Sequence, residues 1–455
     1  MKMAIGYFGD ARLARGGDLI VRRVGERQTV CLRKLADDRA EQIRFRRFLA
    51  NEAVTVEEMI SHRAMFVAAC AAGRHVLAIQ DTSEINYEAQ SGRKRRLGTV
   101  GNGRDAGLFV HPVLAVDGHS GECLGLVDAQ VWRRTKRKAA NYKKLPIEQK
   151  ESYRWVKGGA QAKAVLADAA VVTVLDDREG DIYEKWARLP DDRTHLLTRA
   201  SRDRSLADGG RLFATLAELP EAHRFTLDLP ARPGKRGART ARLTVRFGRI
   251  GIRRPVACSD RNAPPEIELS AIEVRELDPP PGDEICWRLL TTHPVDSVEQ
   301  ALTVIDWYRQ RWHIEQLFRT LKRQGLRLEQ SVLEDGEALE KLAVIALIAA
   351  AITMQLVLAR AADAPDLPAS RVFDPEQIAV LQALQKKLQG RTIKQQNPHP
   401  PDSLAWAGWT IARLAGWTGY DSDKSTGPIT MRDGLERFCG IVDGYRLAAQ
   451  HLCPS

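Results

Sequence analysis

Cysteine is scarce and scattered. Seven occur in 455 residues, at 31, 70, 123, 258, 286, 439 and 453. No CxxC pair is present and the total is odd, which excludes a disulfide framework and the usual thiolate zinc sites. A reducing compartment is the expectation. Internal repeats and low-complexity tracts are also missing, which excludes solenoids and disordered arrays. The opening residues, MKMAIGYFGDARLARGG, carry no apolar run of the kind a signal peptide needs, so the chain is expected to stay in the cytoplasm, on the nucleoid. Only one long hydrophobic stretch exists, residues 342–358, interrupted by Thr353 and Gln355 and bounded by Lys341 and Arg360. It falls short of the ~20 residues of a membrane span and has no second membrane signal beside it, so it reads as a buried core helix.

What is present is a globular composition, 44% hydrophobic and 28% charged, on a chain long enough for roughly three domains. The net charge of +11 points to an anionic partner, and nucleic acid fits best. Residues 1–70 combine helix-compatible stretches with Arg12, Arg15, Arg22, Arg23, Arg27, Arg33 and Arg39, among other cations, and read as a small helical DNA-binding domain. Residues 71–200 alternate differently. Apolar runs at 75–79, 108–116 and 123–132, separated by GNGRDAG and DGHSGE turns, predict an antiparallel meander. A helix over 147–169, a strand over 170–175, another helix and a strand over 195–199 follow. Three strands and then αβαβ give an α/β fold that resembles the ribonuclease-H-like core. Residues 201–290 change to Pro- and Arg-studded alternation and read as a β-strand insertion. Residues 291–365 complete the core, and 366–455 form a helical C-terminal dimerisation region whose Trp406, Trp409 and Trp417 exceed what so small a unit easily buries.

The strongest chemical signal is the helical segment DWYRQRWHIEQLFRTLKRQG. Arg311, Glu315 and Lys322 lie three, seven and fourteen residues beyond Tyr308, so on one helix the four side chains share a stripe roughly 60° wide. A carboxylate there can hold a metal while phenol, guanidinium and ammonium contact phosphate oxygens. Two further carboxylates stand at strand ends, Asp81 after VLAIQ and Asp177 after VVTVLD. If the strands adjoin, both emerge at one edge where Glu315 can meet them. Three acids suffice for two Mg²⁺ ions about 3.5–4 Å apart, with Mn²⁺ a substitute. Asp176 competes with Asp177, but strand alternation sends the two to opposite faces, and the DREGD segment starts at Asp177. Basic clusters at 93–96, 133–138 and 235–242 fall in turns and suit a DNA track.

With these motifs the sequence resembles the DDE transposases of the insertion-sequence-four family. The resemblance rests on Asp81 in AIQDTSEINY, Asp177 in DDREGDIY and the spacing of Tyr308, Arg311, Glu315 and Lys322; FGDARL, EQKESYRW, WRLLTTHPV and SLAWAGWTIARL extend it along almost the whole chain. It implies that Asp81, Asp177 and Glu315 are the catalytic metal ligands for two Mg²⁺ ions. It further implies that Tyr308, Arg311, Lys322 and Arg199 hold phosphates of a transposon end, and that Trp287 stacks on a base flipped from the duplex. The activity implied is cut-and-paste transposition by a bacterial enzyme acting as a homodimer on double-stranded transposon ends and target DNA. Each end is nicked, the freed 3′-hydroxyl attacks the opposite strand to make a hairpin, water opens it, and the element is joined to target. Two rivals remain, a structure-specific nuclease of the same fold and an inactive, domesticated DNA-binding protein.

Overall fold

Short polar residues mark where the helices begin. In the computed structural model, which describes residues 4–134, 141–231, 234, 236–363, 365–420 and 426–451, Asp10 caps α1 (Ala11–Arg27) by accepting a first-turn N–H. The single-turn α2 (Leu32–Leu35) follows. Asp38 and Thr55 then cap α3 (Arg39–Ala50) and α4 (Val56–Ala71) in the same way. The N-terminal region is therefore helical, as its sequence implies.

The sheet begins with β1 (His75–Gln80), β2 (Ser83–Asn86), β3 (Gly98–Val100), β4 (Asp105–Asp117) and β5 (Cys123–Trp132). Then come α5 (Tyr153–Val165), β6 (Val171–Asp176), α6 (Tyr183–Arg188) and β7 (Thr194–Arg199). The first predicted helix is shorter than its 147–169 pattern, because residues 147–149 form a separate 3-10 turn. After α7 (Leu212–Glu218) the chain adds β8 (His223–Leu229), β9 (Arg239–Arg253), β10 (Glu266–Glu276) and β11 (Cys286–Thr291).

All these strands belong to one mixed sheet in the order β2-β4-β1-β6-β7-β11-β10-β9-β8, with β3 and β5 also paired to β4. The neighbours β1, β6 and β7 are parallel, whereas β4 runs antiparallel to β1. The expected meander is present as β1, β4 and β5. The strands read as an insertion do not fold away from it. Leu289, Leu290 and Thr291 of β11 pair with Arg199, Thr198 and Leu197 of β7, so these strands lengthen the same sheet.

Helices α8 (Val298–Arg309), α9 (Trp312–Lys322) and α10 (Gly336–Ala361) return across the core, followed by α11 (Pro375–Leu388), α12 (Leu404–Leu414) and α13 (Pro428–His451). Although α10 is long and apolar enough to cross a membrane, its apolar window is entirely buried in the fold, where it packs against β5, α1, α9 and α12. That is the core helix its Ala-rich sequence predicts. The C-terminal tryptophans correct an expectation. Trp406 and Trp409 are 0% and 2% exposed and Trp417 is partly buried against the core, so the fold itself packs most of this aromatic surface.

Candidate active site

Asp81 and Asp177 each follow the last residue of a strand, and those strands are neighbours. The β1–β6 register pairs Ile79 with Leu175, which carries both acids to the same sheet edge two residues later. Asp177 opens a 3-10 turn over Arg178–Gly180, its carboxylate accepting the Glu179 N–H at 2.8 Å. Asp81 accepts the N–H of Thr82 at 2.7 Å. Burial, together with the neighbouring carboxylates of Asp177 and Glu315, pushes the Asp81 pKa up to about 7 despite the pull of Arg311.

Glu315 reaches this edge from α9. The sequence predicts one continuous helix through Tyr308 and Lys322, but the helix breaks at Gln310 and Arg311, where i to i+3 bonds from His313 to Gln310 and from Ile314 to Arg311 tighten the turn. Tyr308 thus lies on α8 and Arg311 at the head of α9. The break aims Arg311 between two acids. One Nη donates to Asp81 at 3.2 Å and the other to Glu315 at 2.5 Å. Three of the four stripe residues stay together at this edge, and Asp81 joins them.

Tyr308 is buried, which pushes its phenol pKa up, and it stands beside the guanidiniums of Arg311 and Arg199. Its ring lies 6.3 Å from that of Trp287 on β11. Arg199, at the end of β7, donates to the Cys286 carbonyl at 2.8 Å, and burial lowers its pKa. These residues, with Glu315, Arg319 and Leu227, line a cleft of about 970 Å³ that opens beside the acids. Trp287 is half-buried there, one side of its indole on the core.

Lys322 sits apart from this group. It pairs with Glu329 at 3.4 Å, and Glu329 also accepts the Asn86 N–H. Among the basic turn clusters, most described cations have partners inside the fold. Arg96 pairs with Asp335 and Glu337, Arg133 with Glu340, Arg134 with Glu151, Arg239 with Glu276 and Asp283, and Arg242 with Asp278. Lys136, Arg137, Lys138 and Lys235 lie outside the described residues. One functional candidate is not marked by any chemical motif in the sequence. Arg154 pairs with Glu179 and donates to Thr82 at 2.8 Å, beside both aspartates. Its only signal was its place in EQKESYRW.

Residues 119–352, a little over half of the chain, match the family model described as the transposase DDE domain. The chain belongs to that family. The match spans Asp177 and Glu315 and begins after Asp81. This DDE transposase is therefore a metal-dependent enzyme that cleaves DNA. Seven chains of solved structures also match. One is the piggyBac transposase synaptic complex with hairpin DNA, similar over 96% of this chain and 73% of that one, at 9% identity and a TM-score of 0.36, a likeness too distant to assign residues.

The family implies use of divalent metal, and the donors fit it in kind. Carboxylate oxygens are the ligands hard divalent ions prefer, and burial together with the neighbouring Asp177 and Glu315 carboxylates raises the Asp81 pKa. Their spacing fits only after a rearrangement. Among the described residues no three acids lie close enough to hold one ion, because Arg311 stands between Asp81 and Glu315.

Proposed function

We propose that this DDE transposase is a cut-and-paste enzyme of the insertion-sequence-four type, akin to the Tn-five transposase. It binds the ends of its element as a homodimer, excises the element through a hairpin intermediate and joins it to target DNA. Asp81, Asp177 and Glu315 hold two divalent ions, Mg²⁺ or Mn²⁺, in a ribonuclease-H-like core. The observation that carries this reading is the convergence of two adjoining strand ends and the head of α9 on one edge, beside a cleft lined by aromatic and arginine side chains.

When bound, the ions supply an activated attacking oxygen and a stabilised leaving oxygen, which suits every in-line step of such a reaction. The remaining work falls to the side chains. With Asp81 and Glu315 holding the ions, Arg311 would be free to turn its guanidinium to phosphate, where a planar fork binds two oxygens. Arg199 and Tyr308 grip the same strand from the cleft wall, and Trp287 offers an indole face to an unstacked base. Lys322 reaches backbone phosphate only by leaving Glu329.

The test mixes the purified chain with a duplex bearing the terminal sequences that flank its own coding region, plus Mg²⁺. Released element with hairpin ends supports the reading. Cleavage without end joining favours the nuclease, and binding without cleavage favours the inactive protein.

A further inference from the structure

Behind the aspartates, on the opposite face of the same strands, runs a second polar chain that the proposed chemistry does not use. Gln80 and Asp176 are the last residues of β1 and β6, one before Asp81 and Asp177, and alternation turns them inward. Gln80 donates to Asp176 at 2.7 Å and to the Trp155 carbonyl at 3.1 Å. Asp176 also accepts from Thr198 of β7 at 3.0 Å and pairs with Lys185 of α6. On the other side, His111 of β4 meets the Gln80 carbonyl at 3.0 Å and the Thr82 hydroxyl at 2.9 Å, and Arg154 donates to that hydroxyl at 2.8 Å.

One proton arrangement satisfies every contact. Because the Gln80 amide nitrogen faces two acceptors, its oxygen must accept, so His111 donates from Nε2 and accepts at Nδ1 from Thr82. Burial, with Arg154 and Lys185 nearby, keeps His111 neutral. The donors then run without interruption from Arg154 through Thr82, His111 and Gln80 to Asp176. Gln80, His111, Asp176, Lys185 and Thr198 are all 0% exposed. The chain crosses β4, β1, β6 and β7, four consecutive strands of the sheet. Two glycines let neighbouring backbone close over it. A Cβ on Gly158 would come within 2.4 Å of the Gln80 amide oxygen, and one on Gly180 within 2.4 Å of the Asp176 Cβ.

We propose that Gln80, Thr82, His111, Asp176 and Lys185 are positioning residues that set the separation of the Asp81 and Asp177 carboxylates, and with it the affinity of the site for a divalent cation. Gln80 and Thr82 bracket Asp81, and Asp176 adjoins Asp177, so a slip in either strand would have to break this chain. The inference rests on the reading of Asp81 and Asp177 as metal ligands.

The test uses the full chain with two variants. Asp176→Leu with Lys185→Met removes both buried charges together, which folds often tolerate, whereas removing one leaves the other unpaired. Thr82→Val cuts the chain at its half-buried end and changes shape least. Both are compared with wild type and with Asp81→Ala by thermal melting, by Mn²⁺ binding read from the spin signal of the free ion, and by single-turnover cleavage over a range of end-DNA concentrations. Outer-shell groups of metal sites typically tune affinity by about tenfold or more. The folded variants should therefore bind Mn²⁺ about tenfold more weakly and cleave more slowly at saturating DNA, with half-saturation unchanged. If the paired variant does not fold, Thr82→Val decides. Wild-type Mn²⁺ affinity in every folded variant overturns the inference when Asp81→Ala loses binding. If Asp81→Ala binds Mn²⁺ normally, it is the ligand reading that falls.

Discussion

Removing the charge of Asp81 should abolish cleavage and yet stabilise the metal-free protein. Burial and the carboxylates of Asp177 and Glu315 raise this group from 3.8 to about 7. The unfolded chain therefore loses its proton near 3.8 while the folded chain keeps it to about 7, and stability falls as pH rises between the two. Each pH unit costs about 1.4 kcal/mol, so the ionised side chain destabilises the metal-free fold by at most about 4 kcal/mol above pH 7. Asp81 is 18% exposed on its side chain, and some solvent screening brings the expectation to about 2–4 kcal/mol. Asp81→Asn removes that cost and keeps a similar shape. Chemical denaturation in a chelating buffer should find the variant more stable than wild type at pH 8 by this amount, with the gap closing toward pH 4, where both side chains are neutral. Added Mn²⁺ should stabilise wild type and leave the variant unmoved. A variant no more stable than wild type at pH 8, or a gap independent of pH, would refute the view that burial and the neighbouring acids hold the Asp81 carboxyl protonated to about 7.

Asp177→Ala and Glu315→Ala should each abolish cleavage while gel-shift affinity for the transposon end stays within a few-fold of wild type; retained cleavage in either removes that residue from the site. Trp287→Ala should let nicked DNA accumulate while hairpin product falls, because stacking on the indole recovers about 1–3 kcal/mol only when a base leaves the duplex; equal loss of both products assigns the residue to the core. At the far end of the sheet His75 and His293 both contact the Thr173 hydroxyl, and burial pushes them down to about 4 and about 3. For a lowered imidazole the stabilising contribution is complete above about 6.5 and lost as pH falls, by about 1.4 kcal/mol per unit per group. Denaturation midpoints between pH 6.5 and 4 should fall less steeply in His293→Asn than in wild type, and identical slopes would disprove the assignment.

The parts of the site legible in the sequence are those set by local periodicity. VLAIQ and VVTVLD are short apolar runs that end in acids, and a strand's alternation is enough to separate Asp176 from Asp177. Asp176 indeed turns inward to Lys185 while Asp177 stays at the edge. The spacing of Tyr308, Arg311 and Glu315 likewise brought those residues together, although the reason was incomplete. A straight helix would have aligned them, whereas the chain reaches the same grouping by breaking between α8 and α9. Helical periodicity cannot register that break, since Gln310 and Arg311 keep right-handed helical backbone angles and differ only in which carbonyls their neighbours reach. What the sequence hides is long-range pairing. Nothing local joins β11 to β7, or supplies Arg239 with Glu276 and Asp283, and so the sequence pattern does not reveal that the β-rich segment lengthens the same sheet or that these arginines have acidic partners within the fold. Arg311 depends on the same kind of contact. In sequence it is one more cation on a polar stripe, but the fold sets it between Asp81 and Glu315, where a divalent ion would compete for the same oxygens. Its positive charge partly offsets the burial and the carboxylate repulsion that raise the Asp81 pKa. If those oxygens were to hold an ion, the guanidinium would be left free for phosphate.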